Sequence, residues 1–197
     1  MARWPLTSSK SKDDLMSGTS PKKLEFKSLG FQRVLGIDPG LQVTGYSILE
    51  KSPQGIKLLE AGIIDTKDSG SKLLQVRISS LYDSLIEIIE QFKPQAMAVE
   101  QLFAHYKHPR TAILMAHARG VILLAAAQNK ISVDSYNPTR VKKTLTGSGK
   151  AGKLQVQWAI QRELGLTLLP EPADVADAMA IGLTHIHAIS LGKPELL

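Results

Sequence analysis

The chain has 197 residues, of which 43% are hydrophobic and 21% are charged, a balance typical of a folded globular domain with a sizeable core. It contains no cysteine, which excludes disulfides, thiolate nucleophiles and cysteine-based zinc sites. We find neither a secretory signal nor an apolar run that approaches the length of a membrane span, and we therefore expect a cytoplasmic protein without a membrane partner.

The net charge is +6, and the positive charge is concentrated in one segment. Between Gln101 and Arg162 there are ten lysine or arginine residues and a single acid, Asp134. A basic segment of this kind is typical of a surface that binds a polyanion such as nucleic acid. On charge alone, a solvated cationic face is an equally good interpretation.

Residues 1–32 are rich in Ser, Lys, Gly and Pro and show no apolar period, so we interpret them as a flexible basic extension. The next apolar segments are separated by turn residues. This pattern predicts three strands in an antiparallel meander, over residues 33–38, 43–50 and 55–65.

Helices and strands alternate over the rest of the chain. Apolar spacing and turn signals predict helices over residues 72–92, 109–128, 138–145, 153–164 and 173–189, and strands over residues 96–100 and 131–136. The predicted fold class is therefore α/β: a mixed sheet, in which an antiparallel meander continues into parallel strands, flanked by helices. We expect this domain to span residues 33–190, with a short C-terminal tail at 191–197.

Four acids stand where ligand-binding side chains are expected. Asp38 and Glu100 each end a predicted strand, while Asp174 and Asp177 are three residues apart and share one face of the last helix. If the fold brings the four together, their mutual repulsion calls for a cation. Oxygen ligands in a chain without cysteine favour Mg²⁺ or Mn²⁺ over zinc.

Two of the acids also have a purely structural interpretation. Asp38 precedes Pro-Gly and can be a turn former, and Asp174 can be a helix-start acid that interacts favourably with the helix dipole. Asp177 is harder to explain in this way, because an unpaired acid on a largely apolar helix carries a substantial desolvation cost.

Several motifs together resemble those of a known family. The segments VLGIDPGLQVTGYSIL, AVEQLF, ARG at 118–120, SYNPTRVKKTLTGSGKAGKLQVQ and PADVADAMAIGLTHIH, in this order, resemble the RuvC family of Holliday-junction resolvases from about Val34 to His187. The resemblance implies a ribonuclease H-like fold and a homodimer that makes paired symmetric nicks in four-way DNA junctions, in recombination, repair and the SOS response. It also implies two Mg²⁺ ions per subunit, for which Mn²⁺ would substitute, and cooperation with a RuvA–RuvB branch-migration complex.

The resemblance also assigns roles to individual residues. The catalytic and metal-binding acids fall on Asp38, Glu100, Asp174 and Asp177, the third of which is a histidine in some relatives. The aromatic that probes the junction falls on Phe103, and the basic residues near the cleaved strand are Lys142 and Lys153. For Phe103 by itself a core phenylalanine is the more common interpretation, and its position beside Glu100 reverses this preference.

Three further basic residues are predicted to contact DNA: Lys107, Arg110 and Arg140. The first two lie in a loop after Phe103 that is about one residue longer than in many relatives, so its register on DNA is left open. His185 shares a helical face with Asp177, but a satisfied or solvent-facing histidine is the more common case, and we leave it outside the catalytic set.

Other functions are less consistent with the sequence. An ATPase of the actin or sugar-kinase type needs a second lobe, for which 197 residues leave no room, and TGSGKAG lacks the Lys-Ser/Thr end of a phosphate loop. A junction- or RNA-binding protein that does not cut would be expected to lack one of the four acids. A ribonuclease for RNA–DNA hybrids is contradicted by the junction-type motifs EQLF and GKLQVQ.

Overall fold

The computed structural model describes residues 31–70, 72–101 and 109–192, with the side chains of residues 68, 69, 109 and 110 excepted. Five strands form one sheet in the order β3-β2-β1-β4-β5. They are β1 (Gln32–Asp38), β2 (Val43–Ser52), β3 (Gly55–Asp65), β4 (Ala96–Glu100) and β5 (Ser132–Tyr136). The first three strands pair antiparallel, and β4 and β5 continue parallel to β1, which confirms the predicted mixed sheet.

Five α-helices connect or follow these strands: α1 (Leu74–Phe92), α2 (Pro109–Gln128), α3 (Pro138–Thr146), α4 (Lys153–Leu164) and α5 (Ala173–Ser190). A short 3-10 helix, Thr66–Ser69, precedes α1. At the start of α3 the Asn137 side chain accepts a hydrogen bond from the Thr139 N–H, and Pro138 occupies the first turn, as this residue pair predicts.

The two faces of the sheet bury different helices. On one face, Val34, Leu49 and Tyr136 pack with the apolar residues of α3, α4 and α5. On the other face, Leu35 and Ile48 pack with α1 and α2. Neighbouring residues of one strand thus serve opposite cores, because side chains alternate across a strand. Helix α5 is buried along most of its length, as expected for the central helix of its layer.

Helix α5 lies unusually close to the sheet, because glycines face it from β1 and β2. A Cβ atom at Gly36 would lie 2.3 Å from the Ala178 carbonyl oxygen, and one at Gly45 would lie 2.0 Å from the Asp174 carbonyl oxygen. The Ser47 hydroxyl also donates a hydrogen bond of 3.0 Å to the Ala178 carbonyl. This contact places the first turns of α5 directly beside the end of β1.

Helix α2 corrects one expectation. By length and composition its segment Thr111–Gln128 is apolar enough to cross a membrane, so the prediction that no apolar run approaches that length is wrong. Ala118, Ile122 and Ala125 of this segment are fully buried in the core that includes α1. Only 28% of the segment is buried, however, and its other side is exposed. The apolar composition therefore belongs to a helix that packs on its own domain with one face.

Candidate active site

Two of the predicted acids meet at one edge of the sheet. Asp38 ends β1 and Glu100 ends β4, and these parallel neighbours pair Ile37 with Val99, directly before the two acids. The two carboxyl groups therefore lie side by side, close enough to share a hydrogen bond when one of them is protonated. A hydrogen bond between two carboxyl groups needs a proton on one of them.

Helix α5 brings the other two acids to the same edge. Asp174 lies in the first turn of α5 and Asp177 lies one turn later. Burial, followed by the charges of Glu100, Asp177 and Asp174, raises the pKa of Asp38 to about 8. Burial and the charge of Asp177 also raise the pKa of Glu100. Carboxylates from two strands and one helix thus converge, although 62 to 139 residues separate Asp38 from the others along the chain.

The convergent acids are suited to a hard divalent cation. All four supply oxygen, the ligand atom that Mg²⁺ prefers. Burial, and after it the charges of neighbouring acids, raises the pKa values of Asp38, Glu100 and Asp177, so a cation would stabilise their charged forms. Within the described residues, no three acidic or histidine side chains are gathered tightly enough to form a ready-made coordination sphere. Raised pKa values and the lack of a ready-made coordination sphere are compatible, because Coulombic repulsion between carboxylates acts well beyond the roughly 2 Å of a metal–oxygen bond.

Two lysines face the acids across a cavity of about 260 Å³. Lys142 on α3 and Lys153 at the start of α4 line this cavity together with Glu100 and Asp177. Burial raises the pKa of Asp177, and both lysines oppose that shift. The rest of the lining is mostly apolar, from Pro138, Val141, Val156, Ala180 and Ile181. The cavity therefore has an anionic side, a cationic side and apolar walls, which fits a phosphate bound beside cations.

The other predicted DNA contacts are only partly described. The Arg140 guanidinium lies 5.4 Å from the centre of the Tyr136 ring, at the end of β5 that adjoins Glu100. Phe103 and Lys107 lie outside the described residues, as does the side chain of Arg110. Their assignments to DNA stay predictions.

His185 belongs to a buried polar group beneath the site. Its Nδ1 atom lies 2.9 Å from the Tyr136 hydroxyl and 3.6 Å from a carboxylate oxygen of Asp134. Burial lowers the pKa of His185 to about 4, so the ring is neutral at pH 7. Burial also raises the pKa of Asp134 to about 6, against the opposing charge of Arg140. The histidine thus packs against Tyr136, and the four acids are not among the causes of its pKa shift.

Replacing Asp38 by asparagine should stabilise the metal-free protein at high pH. The folded-state pKa of about 8 lies above the usual value near 4, so folding favours the protonated acid and stability falls as the pH rises between these values. Without divalent ions, we expect Asp38→Asn to raise the unfolding temperature by about 5 °C or more at pH 8, and by less at pH 5. Thermal unfolding of the variant and the wild type in EDTA, at pH 8 and at pH 5, measures the two temperature differences.

Asp65→Asn is the matched control, because the Asp65 side chain accepts a hydrogen bond from the Lys67 N–H in an ordinary turn. This control should lose a little stability at both pH values. If Asp38→Asn behaves like it, Asp38 is a turn former, as its Pro-Gly context alone allows, and the acids do not repel one another.

A mixed five-stranded sheet with helices on both faces, and acids at the ends of β1 and β4 and on α5, defines a nuclease of the ribonuclease H-like class. The family model described as crossover junction endodeoxyribonuclease RuvC matches residues 34–185. The chain belongs to the RuvC family. The predicted resemblance is thereby confirmed, and the nucleases of this family are metal-dependent enzymes that act on DNA.

Individual relatives agree with this placement. A crossover junction endodeoxyribonuclease RuvC from Rhodopirellula baltica is 51% identical over 150 residues, which cover 76% of this chain and 83% of the relative. A protein of the same name from Fusobacterium nucleatum is 43% identical over 157 residues, 80% of this chain and 81% of the relative. The structure of T. thermophilus RuvC in complex with Holliday junction substrate superposes with a TM-score of 0.78 at 32% identity, covering 84% of this chain and 99% of that one. These likenesses confirm the ribonuclease H-like fold.

Proposed function

We propose that this chain resolves four-way DNA junctions by paired symmetric nicks, through metal-dependent phosphodiester hydrolysis at Asp38, Glu100, Asp174 and Asp177. The observation that carries the proposal is the convergence of acids from β1, β4 and α5 beside a cavity that two lysines line. Membership of the RuvC family supports junction DNA as the substrate, and recombination and repair as the setting.

We propose two Mg²⁺ ions per subunit, with Mn²⁺ as a substitute, because four carboxylates suit two divalent cations in charge and in ligand type. Such ions, when bound, lower the pKa of an attacking water and stabilise the leaving 3′ oxygen in an in-line displacement. Asp38 and Glu100 end adjacent parallel strands, so the sheet places them side by side before any ion binds. Asp174 and Asp177 complete the set from the rigid start of α5.

Lys142 and Lys153 have a separate proposed role. Both line the cavity with Asp177 and Glu100, so a phosphate bound there lies between ammonium groups and carboxylates. Positive charge at that place offsets the negative charge that grows on the phosphate in the transition state. Arg140, Lys107 and Arg110 are proposed to contact the DNA backbone further out, where contacts position the duplex without reading its bases.

We propose a homodimer, with the exposed side of α2 against the same surface of a second copy. Ile113 and Leu124 are 58% and 50% exposed there, and Ala116 and Gly120 between them let another backbone approach closely. A dimer presents two sites, one for each opposed strand of a junction. We also propose cooperation with a RuvA–RuvB complex, supported by membership of the family, and a cytoplasmic location, with which a chain without cysteine is consistent.

The proposed nuclease domain spans residues 33–190, between a basic extension at 1–32 and a short tail at 191–197. The family match over residues 34–185 supports these boundaries. The extension carries six basic and three acidic residues, so we propose that it is dispensable for cutting and adds at most a weak, nonspecific attraction to DNA.

The direct test is cleavage of a synthetic four-way junction by the full chain, compared with a linear duplex of the same sequence and an RNA–DNA hybrid. With Mg²⁺, only the junction should be cut, at symmetric positions in two opposed strands, to give two nicked duplexes. Without Mg²⁺ it should be bound and not cut. Equal cutting of the hybrid would identify a ribonuclease. Binding without cutting at any Mg²⁺ concentration would identify a junction-binding protein.

Phe103→Ala should slow junction cutting far more than it weakens binding. The proposed reason is that an aromatic side chain beside Glu100 stacks on an unpaired base at the branch point, worth roughly 1–3 kcal/mol, or about 5- to 150-fold in the cutting rate. Gel-shift binding in EDTA and single-turnover cutting measure the two effects separately. Lys107→Ala is the control, and should weaken binding and its salt dependence instead. Equal loss of binding and cutting in Phe103→Ala would show that the side chain merely packs the loop.

A further inference from the structure

Arg119 of α2 reaches from the helix to the ends of two strands. Its Nη1 atom donates a hydrogen bond of 2.8 Å to the carbonyl oxygen of Glu100, and its Nη2 atom donates one of 2.6 Å to the Ser135 hydroxyl. Glu100 ends β4, and Ser135 lies on the neighbouring strand β5. One guanidinium therefore ties both strands to α2 at the edge of the sheet that carries the acids.

The pairing of β4 with β5 ends at Glu100. The pair Glu100 and Tyr136 is the last in the register of β4 with β5, followed by one hydrogen bond of 2.9 Å from the Gln101 N–H to the Tyr136 carbonyl. The backbone at Glu100 thus has few further sheet contacts to hold it. Arg119 supplies one more directly, and its second hydrogen bond anchors the same guanidinium to Ser135 on the neighbouring strand. Rigid support of this kind matters most where a side chain must hold a ligand in one geometry.

Arg119 is not held by an ion pair with any of the described acids. Among the described residues no carboxylate lies within ion-pair distance of it, and burial lowers the pKa of its guanidinium. Keeping an arginine half-buried without an acid is unfavourable unless its hydrogen bonds compensate. Its planar, forked donors suit two acceptors on adjacent strands in a way that a lysine does not.

We infer that Arg119 is a positioning residue, which holds the backbone of Glu100 so that its carboxylate sits correctly beside Asp38 for metal binding. This inference rests on the proposed role of Glu100. It also links the site to α2, the helix whose exposed apolar face is the proposed dimer surface. The placement of one metal-binding acid then depends on how that helix is packed.

The test is metal binding by the full chain in the absence of DNA, with Mn²⁺ as the probe in isothermal titration calorimetry. Arg119→Gln should weaken Mn²⁺ binding about 10-fold or more, the usual effect of losing a residue that orients a metal ligand. Arg119→Lys should lie between Arg119→Gln and the wild type, and Ser135→Ala, which removes one of the two bonds, should have a smaller effect. The Mg²⁺ concentration for half-maximal junction cutting should rise in the same order.

Arg162→Gln is the matched control, because Arg162 is an exposed arginine on α4, and it should leave Mn²⁺ binding unchanged. Junction affinity in EDTA should stay within about 2-fold of the wild type in every variant. Unchanged Mn²⁺ binding with weakened junction affinity would overturn the inference and make Arg119 a phosphate ligand. A lower unfolding temperature with unchanged Mn²⁺ binding would also overturn it, leaving a role in stability alone.

Two further outcomes separate this inference from the proposed function. If wild-type protein binds no Mn²⁺ and cuts no junction, the proposed function itself fails. If the wild type does both and Arg119→Gln binds Mn²⁺ equally well, only the inference about Arg119 fails. Should Arg119→Gln not fold, Arg119→Lys decides the question by the same comparison of Mn²⁺ binding with junction affinity.

Discussion

Asp177→Asn should abolish junction cutting while junction binding survives. Asp177 lines the cavity with Glu100 and both lysines, and its charge contributes to the raised pKa values of Asp38 and Glu100. Asparagine keeps the size and one oxygen, but it removes a full negative charge from the proposed metal ligands. A loss of about 4 kcal/mol of transition-state stabilisation corresponds to a cutting rate lower by roughly 10³-fold.

Single-turnover cutting of a labelled four-way junction measures the rate, and gel-shift binding in EDTA measures affinity. Removing an acid from a phosphate-binding surface should leave that affinity equal or slightly higher. Glu163→Gln is the control, because Glu163 pairs with His187 at 2.7 Å and does not line the cavity. It should cut at the wild-type rate, with a small loss of stability. If Asp177→Asn cut at the wild-type rate, the assignment of these acids as the active site would be wrong.

Gly45→Ala should have the second-largest effect, although glycine and alanine differ by one methyl group. The new Cβ atom would lie 2.0 Å from the carbonyl oxygen and 2.4 Å from the carbonyl carbon of Asp174. These are backbone atoms and cannot rotate away, so the start of α5 must move off β2. A displacement near 1 Å at a catalytic group lowers the rate by about 10²-fold, and crowding of this kind costs about 1–3 kcal/mol of stability.

Gly182→Ala separates displacement of the acids from general destabilisation. Its Cβ atom would meet the Leu49 side chain at 2.9 Å and the Ser47 hydroxyl at 3.4 Å, in the same helix-to-sheet contact and away from the acids. The leucine end can shift, so this variant should lose stability and keep most of its cutting rate. Thermal unfolding and single-turnover cutting compare the two variants. If Gly45→Ala and Gly182→Ala lost the same stability and also the same cutting rate, a specific role for Gly45 would be contradicted.

The sequence by itself determined the local elements and the family. Alternating apolar residues placed the strands within a few residues of their observed ends, and Asn137-Pro138 marked the start of α3. These features depend on neighbours within one turn or one strand, where side-chain spacing directly sets which face is buried. The ordered motifs around Asp38, Glu100 and Asp177 were specific enough to identify the RuvC family, which the family match over residues 34–185 confirms.

Only the tertiary structure decided how distant residues meet. Gly45 looks like an ordinary strand glycine until α5 is found against it, 129 residues further along the chain. Arg119 belonged to a short family-like motif without an assigned role until its hydrogen bonds to Glu100 and Ser135 were known. The apolar composition of α2 does not say which side of the helix is covered. The fold shows that Ala118, Ile122 and Ala125 face the core, while much of the helix is exposed. Contacts between elements depend on packing across the whole domain, and no local spacing records them.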